Sequence, residues 1–182
     1  MPETPLFFAI AAPDEVRAVA VRLQDEARRS FGPARFPEPE GLHIPLAFLG
    51  RTDLAEVPAL LGLAGRVAGP SRGFTLRTAG TGGFPRPGRT RILWLAFEPQ
   101  PSLASLAGRL RAALTAAQVP FDVKPFLPHL TLARFREPVD LGRAAFPELA
   151  PVAFRAGAIT LFQSVPEPQG MRYQILGSAP LA

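Results

Sequence analysis

A unit of strand, proline, helix and histidine-bearing strand occurs twice in this chain, and that repetition narrows the folds open to it. Leu6-Phe-Phe-Ala-Ile-Ala-Ala12 is an apolar run of strand length closed by Pro13. Pro13, Asp14 and Glu15 then read as a helix start, because proline is pre-shaped for a first turn and carboxylates favour the positive end of the helix dipole. Val16, Val19, Ala20, Leu23 and Ala27 follow at helical spacing until Gly32 and Pro33 end the run, and Leu42 to Leu49 reads as a strand stopped by Gly50. The order then recurs. Arg91 to Phe97 reads as a strand, Pro99 and Pro101 close it, and Leu103, Leu106, Ala107, Leu110 and Leu114 repeat the stripe. Pro120 breaks the chain before a second histidine segment, Pro125 to Arg134. His129 follows Pro99 at the interval by which His43 follows Pro13. We therefore expect one domain, 1–182, with pseudo-repeats at roughly 5–86 and 91–172. Two lobes related by a pseudo-twofold axis would bring the two histidine strands to one cleft.

The remaining segments are less regular. A helix is expected near Leu54 to Val67 and a strand at Phe74 to Thr78. Gly80-Thr-Gly-Gly-Phe84 reads as a surface turn. It runs into Pro85 and a strand, so it lacks the helix N-terminus on which phosphate loops depend. The tail offers a strand at Ala158 to Gln163, a turn around Pro166 to Gly170 and a strand at Arg172 to Leu176.

His43 and His129 are the only histidines. Residues i and i+2 of a strand share a face, so His129 stands beside Thr131, and His43 beside Pro45, with aliphatic residues behind each pair. Two imidazoles across a groove suit phosphodiester cleavage: a neutral ring takes a proton from water while a charged ring protonates the departing oxygen. A threonine hydroxyl beside them can bond a non-bridging phosphate oxygen as charge builds there. Taken singly, each histidine would read as a satisfied structural residue; their matched placement favours a shared site. The absence of cysteine excludes disulfides, thiolate zinc sites and cysteine nucleophiles. No HExxH, aspartate-rich loop or Gly-x-Ser-x-Gly elbow appears, so neither a metal nor a cofactor is expected. A net charge of +5 suits an anionic partner, although 22 prolines and a basic set with Lys124 as its one lysine also fit a genomic composition bias. The run Leu6 to Ala12 is too short to span a membrane, and a soluble cytoplasmic monomer is the plain expectation.

The flanks of both histidines resemble the His-x-Thr/Ser-x signatures of the two-histidine phosphoesterases. The segments Leu42-His-Ile-Pro-Leu-Ala-Phe-Leu-Gly50, Gly83-Phe-Pro-Arg-Pro87, Pro125-Phe-Leu-Pro-His-Leu-Thr-Leu-Ala-Arg134, Leu161-Phe-Gln-Ser164 and Tyr173 are similar to the RNA 2′,3′-cyclic phosphodiesterases, also called 2′-5′ RNA ligases. The resemblance implies an α+β bilobal fold, two antiparallel sheets flanked by helices with a central cleft. It implies His43 as proton donor, His129 as proton acceptor, Thr131 on a phosphate oxygen and Arg134 as an RNA phosphate contact, the last only if its strand bulges or twists into phase. The product would be a 2′-phosphomonoester; run backwards, the site would join a 5′-hydroxyl to a cyclic end without ATP.

Pro45 departs from the pattern, standing where the family carries threonine or serine and offering neither hydroxyl nor backbone N–H. A slower enzyme is expected, with water or an arginine such as Arg35 or Arg51 partly replacing the hydroxyl. Two other readings stay open: an RNA-end binding protein with little turnover, and a phosphodiesterase acting on a small cyclic nucleotide such as a cyclic ADP-ribose phosphate.

Overall fold

The computed structural model describes residues 3–168 and 170–182. Its elements run β1 (Glu3–Ala11), α1 (Asp14–Ser30), β2 (Ala34–Arg35), β3 (His43–Asp53), α2 (Val57–Ala68), β4 (Phe74–Phe84), β5 (Thr90–Phe97), α3 (Pro101–Ala116), β6 (His129–Val139), β7 (Ala153–Ala156), β8 (Ala158–Glu167) and β9 (Gly170–Pro180). Pro13 is the cap of α1 rather than its first residue, and Asp14 and Glu15 fill the first turn. The apolar stripes set how the helices dock. Val16, Ala20, Leu23 and Ala27 are buried with Val19 packed partly against the core, and all five stripe residues of α3 are buried. No helix among the described residues is long and apolar enough to cross a membrane.

The strands form two antiparallel sheets, ordered β3-β1-β8-β9 and β2-β6-β5-β4-β7. Each histidine strand pairs with the strand that opens its own stretch of chain, β3 with β1 and β6 with β5. Beyond that the chain crosses over: β8 joins β1, whereas β4 joins β5. The helices cross as well, α1 lying against β6 and α3 against β3. One continuous apolar core therefore lies between both sheets and the helices. A smaller cluster, Phe7, Ala9 and Phe162, occupies the other face of the first sheet, with Tyr173 packed on it.

Three sequence expectations change. Gly50 does not stop its strand: β3 runs to Asp53, and Gly50 adopts φ +73, a left-handed value at an irregularity in the β1–β3 ladder that glycine takes without cost. Gly80 to Phe84 is not a surface turn but the second half of β4, with Gly82 opposite Trp94 and Gly83 opposite Leu93. A Cβ on Gly82 would meet the Trp94 indole and one on Gly83 would meet the Thr90 side chain, so these glycines permit close approach within a sheet. Strands β2 and β7, too short to carry a pattern of their own, were not expected from the sequence.

Candidate active site

Strands β3 and β6 carry the same burial rhythm. From each histidine the residues run half-buried, buried, half-buried, then two buried in succession, then exposed. The doubled buried step is a β-bulge. In the β5–β6 ladder Leu93 faces Ala133 and Trp94 faces Thr131, leaving Leu132 without an opposite number; in the β1–β3 ladder Phe8 faces Ala47 and Ala9 faces Pro45, leaving Leu46 likewise. An extra residue reverses the faces beyond it. His129, Thr131 and Arg134 therefore share the groove side of β6, which meets the condition on which the expectation for Arg134 rested. On β3 the same side carries His43, Pro45 and Phe48, so an exposed phenylalanine stands where β6 has its arginine.

Both imidazoles are held alike. Nδ1 of His43 is 2.7 Å from the Gly41 carbonyl, and Nδ1 of His129 is 2.7 Å from the Leu127 carbonyl. A carbonyl only accepts, so each Nδ1 carries the hydrogen and, in the neutral ring, each Nε2 is left with its lone pair. The surroundings then differ. His43 lies among Phe7 at 4.5 Å, Tyr173 edge-on at 4.9 Å and Phe162 at 5.3 Å, measured between ring centroids. His129 meets the edge of Phe84 at 5.2 Å.

Burial pushes the His43 pKa down to about 4; the Gly41 carbonyl opposes this, while positive charge on His129 and Arg134 adds to it. His129 is lowered by burial in the same sense, against the pull of the Leu127 carbonyl and with a further push from Arg134. His43, His129 and Arg134 thus act on one another electrostatically, as groups sharing one site do.

A groove of about 380 Å³ runs between the sheets, with Pro45, Phe48, Phe84, Arg111, Lys124 and His129 on its walls. Phe48, 46% exposed, and Phe84 give it flat apolar faces, Arg111 supplies positive charge, and Lys124 is paired with Asp122 on the same wall at 2.9 Å. Pro45 is on an edge strand, where a missing N–H is tolerated. Of the arginines expected to replace its hydroxyl, Arg51 is far from it along β3. Arg51 donates to the Glu3 carbonyl at the far end of the β1–β3 ladder, and Arg35 lies across from Arg134 in the second sheet. Among the described residues no three of His, Cys, Asp and Glu come together as a metal-binding group. The aromatic cradle of His43 escaped sequence reasoning. Its residues come from β1, β8 and β9, and only strand pairing unites them.

The likeness to known proteins is specific. Residues 12–166 match the sequence model of the 2′-5′ RNA ligase superfamily. A Thermus thermophilus protein named RNA 2′,3′-cyclic phosphodiesterase is 35% identical over 181 residues, covering 94% of this chain and 87% of that one. The crystal structure of TT0787 from Thermus thermophilus superposes with a TM-score of 0.80 at 33% identity, covering 97% of each chain. Escherichia coli LigT complexed with 3′-AMP superposes with a TM-score of 0.73 at 28% identity over 99% of each chain.

Proposed function

The chain belongs to the 2′-5′ RNA ligase superfamily, and from that premise we propose that it hydrolyses RNA 2′,3′-cyclic phosphodiester ends to 2′-phosphomonoesters. The observation that carries this reading is the matched anchoring of the two imidazoles. Each Nδ1–H is fixed on a carbonyl two residues back, on strands that approach each other, so each Nε2 is free to exchange a proton.

In the reaction, His129 takes a proton from water as its oxygen attacks phosphorus. The P–O3′ bond breaks, and His43 delivers a proton to the departing O3′. The phosphate remains on O2′ and each histidine ends in the other's starting state. Family resemblance supplies this direction, since the anchoring itself is symmetric. Thr131 donates to a non-bridging oxygen, and Arg134 offsets the negative charge. His43 starts neutral in the empty site because of its burial. A bound phosphodiester anion favours its protonated form and brings the acid into readiness. The same steps reversed, with a 5′-hydroxyl in place of water, give a 2′-5′ linkage.

The test is incubation with an oligonucleotide bearing a 2′,3′-cyclic phosphate, in EDTA, following ring opening. Turnover that disappears in both His43→Ala and His129→Ala is expected. Pro45 favours a second reading, an RNA-end binding protein with little turnover, because the site has a hydroxyl on one strand only. Tight binding by the wild type without ring opening would select it.

A further inference from the structure

We infer that Arg35 and Arg136, flanking Arg134, bind the phosphodiester immediately 5′ to the cyclic end, so that the protein selects oligoribonucleotides over mononucleotides; this rests on the reading of the site given above. The two-residue strand β2 contributes little to the sheet, yet its register sets Arg35 directly opposite Arg134 on β6. Directly opposed residues of an antiparallel pair share a face and stand about 5 Å apart at Cα, where like charges repel. No carboxylate relieves them. Neither arginine has an ion-pair partner among the described residues, nor does Arg136, and all three side chains are exposed. By contrast Arg51 on β3, Arg77 on β4 and Arg91 on β5 each have a glutamate at 3.7–3.9 Å.

These three arginines line one cavity of about 540 Å³ with Pro33, Ala34 and Phe135, and its wall carries no acidic group. An uncompensated cluster around a cavity of that size matches a doubly hydrogen-bonded phosphate, the geometry a guanidinium fork recognises best. Its position says which phosphate. The bulge at Leu132 puts His129, Thr131, Arg134 and Arg136 on one side of β6, so the cavity lies further along the strand face that carries His129. Arg134 links the cavity to the histidines, since its charge acts on His43 and His129. A cyclic phosphate ends the chain on its 3′ side, leaving only the 5′ neighbour to enter the cavity. A mononucleotide with a free 5′-hydroxyl has nothing to place there.

Two measurements decide this. The first is kcat/KM for a 2′,3′-cyclic mononucleotide, the same compound with a 5′-phosphate, and a short oligonucleotide with the same end. We expect the wild type to favour the oligonucleotide by about tenfold or more and the 5′-phosphate to recover much of that gain; the Arg35→Ala/Arg136→Ala double variant should bring all three together. The second is binding of a labelled oligonucleotide ending in a 3′-phosphate, titrated with salt. The double variant should bind about tenfold more weakly, and the slope of log K against log salt should shrink by about 1 to 2. Arg35→Lys, which keeps the charge but not the planar fork, should keep the salt slope while losing part of the affinity. An unchanged substrate ratio in the variant, or unchanged affinity and salt slope, overturns the proposal. Because binding needs no turnover, an inactive wild type would count against the proposed reaction while the binding arm still judged the arginines.

Discussion

Gln24 and Arg111 grip the same backbone position in opposite histidine strands. Nε2 of Gln24 donates to the Leu132 carbonyl at 3.0 Å, and Nε of Arg111 donates to the Leu46 carbonyl at 3.0 Å. Those leucines are the two residues that the bulges leave without a ladder partner. Each donor follows the fourth residue of its helical stripe, and each helix packs on the strand from the other stretch of chain. The bulges that set Arg134 on the face of His129, and Phe48 on the face of His43, are therefore clamped from behind.

Removing a clamp should damage the site more than the fold. Gln24 is 1% exposed and its amide also serves the Pro37 carbonyl, so Gln24→Leu leaves one buried and one partly buried acceptor without this donor. We expect a loss of about 1–3 kcal/mol of stability for each acceptor left unpaired. The resulting misplacement of Thr131 and Arg134 should cost about 10–100-fold in kcat. Denaturation with urea and steady-state kinetics on a cyclic substrate would measure both. Retained kcat in a folded Gln24→Leu protein would show that the bulge holds its shape unaided.

The pH dependence follows from the burial of both rings. His43 is pushed down to about 4 from an ordinary 6.5, and His129 is shifted the same way. The profile of kcat/KM reports groups of the free enzyme, and catalysis needs one ring charged and the other neutral. Above both values the singly protonated form thins tenfold for each pH unit. The maximum of kcat/KM should therefore lie below pH 6.5 and fall through neutrality. In the complex the substrate anion raises the acid, so the alkaline limb of kcat should sit at higher pH. A kcat/KM that stays level from pH 6 to 8 would contradict the assignment.

Gly82 separates what the sequence discloses from what it conceals. Helical stripes are local, so the buried faces of α1 and α3 could be read directly, and the paired histidines stood out through their intervals. Strand partners are not local. Nothing near Gly80 to Phe84 reveals that Trp94 and Thr90 fill the space where side chains would project, and the glycines consequently read as a turn. Likewise, Arg35 gains its meaning only through its register with Arg134. Gly82→Ala should drive aside the chain's single tryptophan, which faces Thr131. We expect about 1–3 kcal/mol of destabilisation from overpacking and a shift in tryptophan fluorescence. An unshifted spectrum with native stability would mean the indole has room to spare.

Pro45→Thr is the sharpest single change. Thr131 stands two residues after His129, and Pro45 stands at the same interval after His43 on an edge strand, where proline is tolerated in place of a hydrogen-bonding residue. Arg51 is engaged at the far end of the β1–β3 ladder and does not supply the missing donor. A hydroxyl introduced beside His43 should restore a second contact to the phosphate and raise kcat by about tenfold or more, with the 10²–10³ associated with a single oxyanion donor as the upper range. Pro45→Val separates the hydroxyl from the change in backbone and shape, and should gain little. If the threonine variant binds substrate as the wild type does and turns over no faster, phosphate contact at this position does not limit the reaction.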